Sequence, residues 1–140
     1  MTRDEVIAVV HQRQAALTAR NMDGLGVLYA DGAEIRSPLA GSSRGRDAVL
    51  KSFRVFLNAF PDVIFNAEEP IVDGDRVAVP TEISGTDTNG ILGNPASGRP
   101  FRFLAVLVLT IQNHQIVREE RVYDFTGLLI QIGVLKAKPA

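Results

Sequence analysis

Three carboxylic acids close to the ends of two extended segments are the residues of this chain best suited to chemistry. Counting by twos places Glu120, Val122 and Asp124 on one face of the segment Gln115–Asp124, and Thr81, Ile83, Gly85 and Asp87 on one face of the segment Arg76–Asp87. If those faces look at each other across an apolar pocket, Asp87, Glu120 and Asp124 share it. Carboxyl groups so close cannot all ionise, so one keeps its proton near neutral pH while another remains a base. That division is what enolisation requires: a base for the proton alpha to a carbonyl and an acid for the oxygen. Asp124 is the expected base and Asp87 or Glu120 the expected acid. The alternative is that Asp87 and Glu120 sit at strand ends in solvent or pair with Arg102, Arg118 or Arg121.

Around these acids the pocket needs walls. Thr81, Ile83 and Val122 belong to the same faces, and Phe53 and Phe56 come from a helical stripe that is otherwise core. Tyr29 can reach the cavity mouth and donate to a substrate oxygen, or pack with its hydroxyl outward. Arg36 pairs with a cavity carboxylate or lies on the surface. Three acids also suit a hard divalent cation, but His11 falls in a helix and His114 in a turn, so no His–carboxylate triad can be drawn. The expectation is no metal and no cofactor. Gly90, Gly93 and Gly98 precede no helix start with Lys-Ser/Thr, so they form a flap and not a phosphate loop.

The elements that position these residues change character midway. Thr2 and Glu5 form a capping box for a helix from Arg3 to Ala19, Asn21–Leu28 is a shorter helix, and Ala33–Ser37 is a strand followed by a loop at residues 40–44. A third helix carries Val49, Phe53, Phe56, Leu57 and Phe60 up to Pro61. From Asp62 the period becomes two: strands at residues 63–72 and 76–87 joined by Asp73-Gly74, a loop at 88–100, a hairpin of Phe101–Ile111 with Gln115–Asp124, and a closing helix at 125–132. The predicted class is α+β: a curved antiparallel sheet closed into a cone, helices over one face and a cavity within. Residues 1–135 form one domain, and residues 136–140 a disordered tail. Phe101–Ile111 is apolar on both faces, so its second face predicts a homodimer through the outside of the sheet.

With 140 residues, 15 Lys plus Arg against 16 Asp plus Glu and a net charge of −1, the chain lacks the basic surface of a nucleic-acid or anionic-membrane binder. The absence of cysteine excludes disulfides, thiolate metal sites and cysteine nucleophiles. Acidic residues directly after Arg3 do not fit a signal peptide, so the expected location is cytoplasmic.

Several motifs carry a family resemblance. Gly85-Thr86-Asp87, the run from Gly93 to Arg99, the run from Ile116 to Glu120, and Tyr123-Asp124 followed by the run from Gly127 to Gly133 resemble the C-terminal half of the SnoaL-like polyketide cyclases. Gly45-Arg46-Asp47-Ala48 and Phe60-Pro61-Asp62 add that family's middle section. The resemblance implies the cone fold of nuclear transport factor 2-like domains. It further implies cofactor-independent acid–base chemistry on a small apolar carbonyl compound, with intramolecular aldol cyclisation as the reaction and Asp124 as acid/base. The family usually has His where this chain has Asp87, and Trp where it has Glu120. Isomerisation, dehydration, hydroxylation, or ligand binding by a dimer without catalysis are the other activities the fold carries.

Overall fold

The computed structural model describes residues 1–39 and 41–136. Helix α1 (Arg3–Thr18) opens on the expected capping box: the Thr2 hydroxyl accepts from Glu5 N, and the Glu5 carboxylate accepts from Thr2 N at 2.7 Å. Its buried stripe is Val6, Val9, Val10, Arg13 and Leu17, so a charged residue falls on the apolar face. Helix α2 (Met22–Gly26) is capped by Asn21 and ends earlier than predicted, which hands Tyr29 to strand β1 (Tyr29–Ser37). Residues 41–44, expected as loop, form strand β2 (Gly41–Arg44), paired antiparallel with β1. Helix α3 (Arg46–Ala59) follows, starting at Gly45, whose φ of 104° is open to glycine.

The strand predicted over residues 63–72 is two: β3 (Ile64–Ala67) and β4 (Ile71–Asp73). They flank Pro70, which has no N–H to offer a ladder. Both lie along one edge of β5 (Arg76–Thr86), β3 near its end and β4 near its start. β6 (Pro100–Gln112) and β7 (Gln115–Tyr123) form the long hairpin, turned at Asn113 and His114 with φ of 50° and 62°. Helix α4 (Phe125–Gln131) follows directly.

The order across the sheet is β2-β1-β7-β6-β5-β3. The pairings are antiparallel except that β1 runs parallel to β7, so the predicted all-antiparallel sheet is corrected to a mixed one. Parallel pairing arises because α3 and the β3–β6 strands intervene between the two partners. Register fixes which residues share a face: Val77–Leu109–Glu119, Val79–Leu107–Arg121 and Thr81–Ala105–Tyr123 form successive rows across β5, β6 and β7. These rows face α1 and α3. Two apolar clusters fill the concave side, one around Val6, Leu17, Val49, Phe53 and Leu109, the other under α4 around Phe60, Phe101 and Leu128.

The opposite face stays uncovered among the described residues. Leu104 is 73% exposed and Val122 58%, with Val106 beside them. No helix among these residues is long and apolar enough to cross a membrane. The tail expected at residues 136–140 lies, beyond Lys136, outside the described residues.

Candidate active site

Between α1, α3 and the concave face lies a cavity of about 440 Å³, in the range that holds a small organic ligand. Phe53 and Phe56 from α3, Phe65 from β3, Ile83 from β5, and Phe103 and Leu107 from β6 give it apolar walls. Thr81 also lines it, its hydroxyl already bonded to Val79 O at 3.2 Å. The predicted wall residues Phe53, Phe56, Thr81 and Ile83 are thus brought together.

The polar floor is one that period counting missed. Glu119 is fully buried and receives four donors. Arg13 Nε (2.9 Å) and Tyr29 OH (2.5 Å) reach Oε1, while Arg13 Nη2 (3.1 Å) and Arg121 Nε (2.8 Å) reach Oε2. Burial alone raises the Glu119 pKa, but the two guanidinium groups and these hydrogen bonds outweigh it and hold the carboxyl at about 2. Burial pushes the Tyr29 phenol up, and Arg13 stays firmly charged beside Glu119. Arg121 lines the cavity with its Nη1 on Ser52 Oγ at 3.0 Å and its guanidinium carbon 4.3 Å from the centre of the Phe53 ring. Tyr123 lines the same wall, its phenol pKa raised by burial and partly offset by Arg121.

The acids singled out by sequence lie elsewhere. On β7 the inward residues are Glu119, Arg121 and Tyr123, so the face assignment is corrected by one residue: Glu120 and Val122 lie on the outer face. Glu120 pairs there with Arg118 at 3.4 Å. Asp124 is exposed and caps α4, its Oδ1 accepting from Gly127 N at 2.8 Å, and it is not among the residues lining the cavity. Asp87 is buried outside the cavity, accepting from Gly90 N at 3.1 Å and from Ser97 N and Oγ at 2.8 Å each. It organises the base of the glycine-rich flap, whose Leu92 reaches the cavity. Tyr29 is in the buried floor, not at the mouth. Arg36 lies on the surface, 3.6 Å from Glu34. His11 faces Glu69 at 3.9 Å in solvent, and no group of three or more His, Cys, Asp or Glu among the described residues could hold a metal ion.

Arg13 carried a legible signal, a lone cation on the apolar stripe of α1. Glu119 and Arg121 carried none of their own, because Arg118, Glu120 and Val122 make an equally plausible inward set.

Several solved structures share this architecture. TsrD from Streptomyces laurentii superposes with a TM-score of 0.84 at 23% identity, over 96% of this chain and 99% of that one. AclR, a candidate hydroxylase from Streptomyces galilaeus, gives 0.84 at 22% identity over 99% and 87% of the two chains. IdmH, a candidate polyketide cyclase from Streptomyces antibioticus, gives 0.78 at 24% over 90% and 96%. A protein of ketosteroid isomerase-like fold from Catenulispora acidiphila gives 0.74 at 22% over 94% and 97%. Likeness at these identities shows the fold: α+β of the nuclear transport factor 2 and ketosteroid isomerase type. No curated protein matches the chain. The sequence model of the SnoaL-like polyketide cyclases matches residues 7–132, and the chain belongs to that family.

Proposed function

We propose that the cavity receives a small, largely apolar, carbonyl-bearing molecule and promotes its enolisation, the step on which intramolecular aldol closure of a polyketide-like chain depends. The observation that carries this reading is the position of Arg121, a cation fixed in an apolar cavity by Glu119 and Ser52. A fixed donor in a low-dielectric pocket stabilises an enolate oxygen more than the neutral carbonyl from which it forms, and so lowers the barrier to proton loss. Glu119 is a poor base here, since its oxygens are filled and its pKa is held at about 2. The alpha proton passes to solvent hydroxide at the mouth, forming water, while the enolate oxygen stays paired with the Arg121 guanidinium. Membership of the cyclase family supports the reaction class. Ligand binding without turnover is the second reading, favoured by the lack of any carboxylate lining the cavity among the described residues.

A homodimer through the outer sheet face belongs to the same proposal, with Leu104, Val106 and Val122 at its centre. The chemical reading is tested by following hydrogen–deuterium exchange at the alpha carbon of tetralone by proton NMR. Exchange accelerated by the wild-type protein and slowed by Arg121→Gln is expected. The same rate with and without protein would overturn the enolisation reading.

A further inference from the structure

Arg121 is held on three sides. Glu119 Oε2 takes Nε at 2.8 Å, Ser52 Oγ takes Nη1 at 3.0 Å, and the Phe53 ring stacks against the guanidinium. Ser52 cannot supply a counter-charge, and its own hydroxyl proton goes to Val49 O at 2.6 Å. Nη2 of Arg121 is shielded from solvent and has no hydrogen-bond partner among the described residues. A buried donor left so is unfavourable and adds to the cost of holding this cation in the fold.

The charges do not balance either. Arg13 and Arg121 bring two positive charges to one carboxylate, Glu119, leaving an excess of one. Tyr29 does not offset it, because burial keeps its phenol protonated. The charged residues lining the cavity are Arg13, Lys51 and Arg121, and among the described residues no Asp or Glu joins them. An excess positive charge beside apolar space calls for an anion, and the cavity is the side from which one can come.

We infer that the ligand of this cavity is an acidic carbonyl compound held as its anion: an apolar body whose one anionic oxygen, that of a stabilised enolate, is seated against the Arg121 guanidinium. The inference rests on the cavity being the ligand site, as proposed above, and adds the charge of what enters it. A charge-assisted pair with the accessible part of the Arg121 side chain neutralises the floor.

Titration calorimetry with naphthoate and with naphthamide, equal in shape and different in charge, tests it. The wild-type protein is expected to bind naphthoate at least about tenfold more tightly than naphthamide. Arg121→Gln removes the preference but also strips Glu119 of a donor, so a second variant keeps Arg121 in place. Ser52→Asp supplies the missing negative charge from α3 and is expected to abolish the preference, the ratio of the naphthoate and naphthamide affinities being the readout. Equal wild-type affinities for the two compounds, or a preference that survives Ser52→Asp, would overturn the inference and leave the cavity reading intact. Failure of both compounds to bind wild-type protein would overturn the cavity reading, and the inference with it.

Discussion

Arg13 and Glu119 stand 106 positions apart in the chain and meet at 2.9 Å, joining α1 to β7 beneath the cavity. Because Arg121 leans on the same carboxylate, the pair fixes both the packing of the first helix and the aim of the cavity cation. A carboxylate of this kind is a positioning residue, and its loss is felt in stability before chemistry.

Glu119→Gln is therefore expected to destabilise the fold by about 3–5 kcal/mol at neutral pH, since it leaves Arg13 and Arg121 buried without a counter-charge. The wild-type pH dependence follows from the same group. Its folded pKa of about 2 lies below the ordinary value of 4.5, so its contribution is fully present above about 4.5 and is lost as pH falls toward 2. Urea denaturation across that range should show wild-type stability dropping by about 3 kcal/mol, with a flatter profile for any Glu119→Gln protein that folds.

Asp87→Asn should loosen the flap. One amide oxygen cannot replace two carboxylate oxygens, and the new NH2 group would face the donors of Ser97 or Gly90. A loss of about 1–3 kcal/mol is expected, with faster amide hydrogen exchange at Gly90 and Ser97 than in the wild type. Asp87→His, which restores the residue usual in the family, should loosen the flap in the same way.

Asp124→Ala should cost about 1 kcal/mol through the lost cap of α4 and leave tetralone exchange near the wild-type rate. A folded Asp124→Ala protein without exchange activity would instead restore the acid/base role that the family resemblance assigns to this position.

Leu104→Arg places a charge at the centre of the uncovered sheet face. Light scattering should give a dimer mass for wild type and half of it for the variant, at unchanged circular dichroism. A wild-type monomer at micromolar concentration would remove the dimer proposal.

Much of the fold was legible because its signals are local. The Thr2/Glu5 capping box, the phenylalanine stripe of α3 and the hairpin turn at Asn113 and His114 need no distant partner to form. Beyond its walls, the site offered one signal in the sequence, Arg13 on the apolar stripe of α1. Along β7 the outward residues Arg118, Glu120 and Val122 are as mixed in character as the inward Glu119, Arg121 and Tyr123, so period-two reading had no apolar face to choose by. The choice is made by Arg13, a side chain on another element. Parallel pairing of β1 with β7 was hidden for the same reason, being a relation between segments far apart in sequence.

That pairing also sets a timetable. Strand β1 leaves the ribosome early, yet its parallel neighbour β7 emerges after the rest of the sheet, so the nascent chain carries an unfinished edge through most of its synthesis. Arg13 waits equally long for its carboxylate. Closure must then come late and from contacts of long sequence separation, which makes for slow folding and a vulnerable interval. A nascent chain stalled before β7 should be held by chaperones or cleared by proteases, with no native-like intermediate to protect it.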